Sequence, residues 1–273
     1  MINKDMFKRL GQHFLKDKSI LKRIIQALDV REGDVVVEIG PGHGELTNVI
    51  VEKFKNLKCK DYKIIAIEKD KNLARELEKE NIKNLKIIEG DALKVLPELS
   101  TKYRAYRQAG KIQNAEYKLV GNIPYYITGH LLRIIGELGY KPSKTVLLIQ
   151  KEVAQRICAL PPHSSLLSLS VQFWADCKII EIVSKKYFSP PPKVESAVIE
   201  LATKKDSDKN SAIAAKYYAF VKKAFKQPRK TLLNNLINGG YTKEEALKII
   251  NKLKLQKNDR PQILSSEAIS SLF

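Results

Sequence analysis

Five short apolar runs punctuate the first 150 residues: Asp34–Ile39, Lys63–Glu68, Leu85–Glu89, Tyr117–Gly121 and Lys144–Ile149. They are rich in Val and Ile and are not broken by regular polar alternation, which is the pattern of strands buried on both faces of a parallel sheet. The segments between them are patterned as helices, so a doubly wound α/β sheet is expected. Two further runs, Lys178–Ser184 and Ser196–Ala202, flank the Pro-rich turn Ser189–Lys193, and no helix fits between them. They are expected to pair as an antiparallel hairpin at the sheet edge, giving seven mostly parallel strands.

After Ala202 the pattern changes. A polar stretch, Thr203–Asn210, has the composition of a linker, and beyond it the apolar spacing is helical over Ile213–Phe225 and Lys230–Asn238. A third helix is opened by Thr242 with Glu245 three residues on, a capping box. The expected organisation is one α/β domain over residues 1–203 and a small all-α domain over 204–273. Residues 98–116 are weakly patterned and are expected to form a partly exposed insertion.

Charge sharpens this picture. The 273 residues carry 49 Lys and Arg against 30 Asp and Glu, a formal net charge of +19. Seven basic and two acidic groups fall in residues 1–23, and twelve basic and four acidic in residues 211–273, so the excess is concentrated at the two ends. Such ends attract polyanions, and nucleic acid is the expected partner. Cys59, Cys158 and Cys177 are scattered without a CxxC pair or a neighbouring His ladder, which argues against zinc and against a disulfide framework. The sequence has neither a signal-peptide pattern nor an apolar run of spanning length, so a cytoplasmic protein is expected.

The first strand runs into Glu38-Ile-Gly-Pro-Gly-His-Gly44 and then a helix. Glycines at 40, 42 and 44 allow a sharp turn and close approach of a ligand at the carboxyl end of the strand, where open α/β sheets bind small molecules. The spacing is GxGxG, and Glu45 stands where a dinucleotide fold would place its third glycine. An acidic residue in that first helical turn opposes a pyrophosphate but tolerates a donor without phosphates, which favours S-adenosylmethionine over a nicotinamide cofactor. Glu68, at the tip of the second strand, is suited to the ribose hydroxyls. Asp91, after the third, is suited to an adenine amine.

The fourth strand enters Asn122-Ile-Pro-Tyr125. An exocyclic adenine amine is a poor nucleophile because its lone pair is delocalised into the ring. A site that methylates it must accept its hydrogens and hold it in line with the donor. The Asn122 side-chain oxygen and a backbone carbonyl near Ile123 or Pro124 can accept those hydrogens, Pro124 fixes the turn, and Tyr125 offers a face to an extruded base. Such catalysis works by orientation and placed charge and calls for no metal. Phe188, before three consecutive prolines, is a candidate second stacking surface.

These residues resemble the bacterial small-subunit ribosomal RNA adenine dimethyltransferases, the kasugamycin-sensitivity methyltransferases, nearly end to end. The resemblance is carried by Leu10–Leu15, Glu38–Gly44, Ala66–Glu68, Glu89–Ala92, Gly121–Thr128, Gln150–Ala154, Ser168–Gln172, Phe188–Val194 and Ala224–Leu232. It implies a class I, Rossmann-like methyltransferase fold and dimethylation of two adjacent adenosines near the 3′ end of small-subunit RNA, within a 30S assembly intermediate, by a monomer. It also implies residue roles: His13 and Leu15 beside the methionine end of S-adenosylmethionine, Gly40 and Gly42 along its backbone, Glu68 at the ribose, and Asp91 with Ala92 at the adenine. Asn122 would lie between donor and substrate, and Lys222, Lys223, Lys226, Arg229 and Lys230 would hold RNA. Pro228 departs from the family, which usually has Arg there. The rival readings are a macrolide-resistance-type methyltransferase of large-subunit RNA, a non-catalytic assembly or transcription factor on the same scaffold, and a dehydrogenase.

Overall fold

The computed structural model describes residues 13–108, 117–205 and 211–273. Their strands are β1 (Phe14–Leu15), β2 (Val35–Ile39), β3 (Lys63–Glu68), β4 (Leu85–Glu89), β5 (Tyr117–Asn122), β6 (Lys144–Gln150), β7 (Ala175–Val183), β8 (Phe188–Ser189) and β9 (Ser196–Thr203). Seven of them form one sheet in the order β4-β3-β2-β5-β6-β9-β7. The pairs among β4, β3, β2, β5 and β6 are parallel, while β9 runs antiparallel to β6 with Lys144 opposite Ala202 and Gln150 opposite Ser196. The order reverses at β2, so the carboxyl ends of β2, β3 and β5 open a crevice at a topological switch point. The runs expected to form an edge hairpin are the adjacent strands β7 and β9.

Contacts divide the chain into two compact units. One comprises the chain through Ala154 with Lys178–Thr203, and the other comprises Gln155–Cys177 with Lys204–Phe273. The second unit thus gains a segment that the expected cut at 203/204 leaves in the first domain. The reason is apolar packing: Leu169 from this segment is buried in the same cluster as Tyr217, Phe220, Leu232 and Ile250. The Tyr217 hydroxyl also donates to the Leu169 carbonyl at 2.9 Å.

In the α/β unit, α1 (Lys18–Leu28) starts where the Asp17 carboxylate accepts from the Ser19 and Ile20 N–H groups. Its buried residues, Ile20, Leu21, Ile24, Ile25 and Leu28, follow helical spacing and join Val36, Val120 and Val146 of the sheet in one core. Helix α2 (Glu45–Asn56) begins at the glycine turn, and α3 (Lys71–Lys79) is capped by Asp70. Helix α4 (Ala92–Gln108) corrects part of the expected insertion. Residues 98–108 continue a helix, and Tyr103 is buried and stacked on Tyr117 with ring centroids 5.7 Å apart. The rest of that segment, 109–116, lies outside the described residues. Helix α5 (Thr128–Glu137) follows a 3-10 turn over Tyr125–Ile127.

The amino ends of the strands are closed by paired charges. Lys118, wholly buried in β5, bonds Asp34 at 2.8 Å and donates to the Asp29 carbonyl at the end of α1. Lys144 donates to the Ala27 carbonyl at 3.1 Å and lies 3.5 Å from Glu200. Two ammonium groups thus meet the open carbonyl end of α1, where positive charge is favoured.

In the helical unit, α6 (Lys151–Ile157) leads in from the first unit and α7 (Leu166–Gln172) starts at a Ser165 capping box. Then come α8 (Ser211–Ala224), α9 (Leu232–Asn238), α10 (Lys243–Lys252) and α11 (Ser266–Ser270). The Thr242–Glu245 capping box is present at the start of α10.

Candidate active site

A cavity of about 390 Å³ opens at the carboxyl ends of β2, β3, β4 and β5. Its base is the glycine turn, where Gly40, Gly42 and Gly44 all have positive φ. At Gly42 a side chain is excluded twice over: φ is +59°, and an added Cβ would sit 2.8 Å from the Phe14 ring. The Gly40 N–H donates to the Ile67 carbonyl at 2.9 Å, tying the turn to β3. Phe14, Ile39 and Ile67 supply apolar walls, and Glu68, Asp70 and Asp91 supply carboxylates. Three carboxylates, with Lys69 and Lys71 beside them, line the hollow with acceptors that suit a hydroxyl-bearing ligand.

Each carboxylate is held by a local bond. Glu68 accepts from the Gly42 N–H at 3.1 Å and the Asp70 N–H at 2.8 Å. Burial pushes its carboxyl above the ordinary range, while the Asp70, Gly42 and Lys69 N–H groups pull the other way. Asp91 accepts from the Leu93 N–H at 3.0 Å and from Lys69 Nζ at 3.1 Å. Against partial desolvation, those two donors hold its carboxyl below the usual range. Glu38 lies under the turn, wholly buried; Thr47 Oγ1 donates to its Oε2 at 2.6 Å, and its Oε1 has no hydrogen-bond partner among the described residues. Desolvation pushes its carboxyl up to about 8, and the negative charges of Glu68 and Glu45 add to the shift against the Thr47 bond.

The opposite wall comes from the end of β5 and the chain before α1. Asn122 Nδ2 donates to the His13 carbonyl at 2.7 Å. A carbonyl can only accept, so this bond fixes which end of the amide is nitrogen and leaves Oδ1 as the acceptor for a ligand. His13 is itself anchored, its Nδ1 donating to the Pro190 carbonyl at 2.8 Å. The Tyr125 hydroxyl bonds Ser196 Oγ at 2.9 Å, and its ring centroid lies 6.0 Å from that of His13.

Of the residues singled out from the sequence, His13, Gly40, Gly42, Glu68, Asp91, Ala92, Asn122, Pro124 and Tyr125 line this one cavity. Leu15 and Phe188 do not. They are partners in the register of β1 with β8, and both side chains are buried in the apolar core, 3% and 5% exposed. The β1–β8 pairing turns Phe188 into a core residue, which corrects its assignment as a stacking surface. The cations Lys222, Lys226, Arg229 and Lys230 are exposed on the helical unit, while Lys223 is half-buried with its ammonium 4.5 Å from the Tyr241 ring centroid. Pro228 turns its carbonyl to Gln262 Nε2 at 2.9 Å.

Sequence reading missed Phe14, Lys69 and Tyr126, all of which line the cavity. Tyr126, 66% exposed at the rim, follows the tetrapeptide directly and could have been found by extending it one residue. Phe14 and Lys69 likewise adjoin residues already singled out, His13 and Glu68.

A glycine turn at the switch point, carboxylates at successive strand tips and an apolar slot between them are those of an S-adenosylmethionine-dependent methyltransferase. The cavity and its donor set fit that group. When bound, it supplies a methyl carbon already activated by a sulfonium. A model of the ribosomal RNA adenine dimethylase family matches residues 3–271, and the chain belongs to that family. It is 35% identical to the ribosomal RNA small subunit methyltransferase A of Dehalococcoides mccartyi, over 95% of this chain and 84% of that one. With the protein of the same name from Mycoplasmopsis pulmonis it shares 38% identity over 97% of both chains. The crystal structure of a dimethyladenosine transferase from Plasmodium falciparum superposes with a TM-score of 0.74 at 25% identity, covering 95% of this chain and 96% of that one. The chain is a ribosomal RNA adenine dimethyltransferase.

Proposed function

We propose that this enzyme dimethylates two adjacent adenosines near the 3′ end of small-subunit ribosomal RNA, in the cytoplasm, on a 30S assembly intermediate. The names of the relatives at 35–38% identity support the choice of subunit. The observation that carries the chemistry is the bond from Asn122 Nδ2 to the His13 carbonyl, which reserves Oδ1 for a donor hydrogen. In this reading Oδ1 accepts one hydrogen of the target amine and a backbone carbonyl of the Ile123–Pro124 turn accepts the other. Drawing both hydrogens out of the ring plane returns the lone pair to nitrogen, in line with the methyl carbon.

Tyr125, anchored through its hydroxyl, presents its ring to the extruded base. Glu68 accepts from ribose hydroxyls, Asp91 from the adenine amine of the donor, and the glycine turn lets the donor lie against backbone. The proton released after transfer passes to solvent. Lys222, Lys223, Lys226, Arg229 and Lys230 hold phosphates. In this reading the enzyme acts as a monomer.

The test uses tritiated donor with undermethylated 30S particles and, separately, naked large-subunit RNA, followed by mapping of the labelled nucleotides. Label confined to two neighbouring adenosines of the small-subunit RNA is expected. Label on the large-subunit RNA would replace this reading with the macrolide-resistance type. Replacing Lys222, Lys223 and Lys226 by Gln is expected to lower the salt slope of RNA binding by about 2, at roughly 0.7 per single-strand phosphate contact.

A further inference from the structure

Asp91 stands at one end of the cavity with both carboxylate oxygens engaged. Oδ1 accepts from the Leu93 N–H at 3.0 Å, a bond built into the start of α4. Oδ2 accepts from Lys69 Nζ at 3.1 Å, a side chain 62% exposed and able to swing away. Both residues line the cavity, so this ammonium sits at the acceptor that a bound purine has to reach. Glu68, at the neighbouring strand tip, differs: its oxygens bond the backbone N–H groups of Gly42 and Asp70. The two carboxylates therefore face the ligand with unlike first neighbours.

We infer that Lys69 competes with the donor's adenine amine for Asp91 and thereby sets both the affinity and the base selectivity of the donor site. The inference rests on the donor reading given above. An ammonium and an amine are both hydrogen donors, and an oxygen already facing a full positive charge is a weaker acceptor for a second polarised N–H. A purine bearing a carbonyl in place of the amine offers an acceptor there instead, and the same ammonium can donate to it. Lys69 thus lowers affinity for the adenosyl group and narrows its margin over the 6-oxo analogue.

Isothermal titration of the full chain with S-adenosylhomocysteine and with S-inosylhomocysteine tests this without reference to activity. Both ligands have no net charge, so salt acts chiefly on the ion pair. Lys69→Met keeps the apolar stem and removes the ammonium. It is expected to bind S-adenosylhomocysteine about two- to fivefold more tightly, as suits a partly exposed pair, and the inosyl analogue less tightly. At roughly 0.5 M salt the wild type and variant should converge to within about twofold. In an Asp91→Asn background the effect of Lys69→Met should vanish. Unchanged or weaker S-adenosylhomocysteine binding by Lys69→Met overturns the inference, as does a gain that persists in Asp91→Asn. Failure of the wild type to bind S-adenosylhomocysteine at all would instead remove the donor reading.

Discussion

The two ends of the central sheet treat charge in opposite ways. At the amino ends, Lys118 and Asp34 are 1% and 2% exposed and bonded to each other, and Lys118 and Lys144 also cap the carbonyls that end α1. At the carboxyl ends, Asp91 is bonded to an exposed lysine, and Asn122 gives its Nδ2 to the His13 carbonyl. One end pairs its charged groups with each other and with the carbonyls of α1. The other holds polar groups in place by backbone bonds while leaving acceptors for something that enters. In the proposed mechanism, the difference separates groups that stabilise the fold from groups that serve the reaction, although they lie on the same strands.

The largest expected effect of breaking this contrast is at the closed end. Lys118→Met removes the buried ammonium bonded to Asp34 and should lose about 3–5 kcal/mol in denaturant unfolding. Folded Lys118→Met protein should retain donor affinity within about threefold. At the open end the order inverts: Asn122→Ala should lower kcat by about 10²–10³-fold with donor affinity nearly unchanged and a melting temperature close to wild type. Undiminished transfer in that variant would remove Asn122 from the mechanism.

Glu38 gives an intermediate effect with a definite sign in pH. Its folded carboxyl is raised above the unfolded value, to about 8. The folded state therefore binds more protons between roughly pH 4.5 and 8, and stability falls as pH rises through that window. Glu38→Gln should abolish this slope and stabilise the ligand-free protein at pH 8 by on the order of 2 kcal/mol. Parallel urea curves for variant and wild type from pH 5 to 9 would contradict it. The smallest change is Tyr125→Phe, which keeps the ring and loses only the bond to Ser196. A reduction in kcat of less than about tenfold is expected, against a much larger one for Tyr125→Ala.

Legibility from sequence followed the range of the interactions involved. Strands such as Lys63–Glu68 and Leu85–Glu89 match the structure residue for residue because their boundaries are set locally, by apolar content and by the turns that follow. The capping box at Thr242 is local in the same sense. Phe188 and Leu15 could not be placed this way. They meet across 173 positions, in a two-stranded pairing of two residues each, too short to leave any periodicity. Nor could the His13 carbonyl be foreseen as the partner of Asn122, since that bond spans 109 positions. Tyr103 shows a third case, a buried ring in a helical segment of weak amphipathicity, fixed by Tyr117 from another element.

A lone acceptor oxygen on Asn122 has a bearing on how catalysis stops. In the proposed geometry an unmodified adenosine offers two hydrogens to the pair of acceptors, and a singly modified base must rotate about its carbon–nitrogen bond to offer the one that remains. The finished dimethylamine has none left to give. Its grip on the cleft weakens with each turnover step, so completion of the modification is itself the signal for the nucleoside to depart.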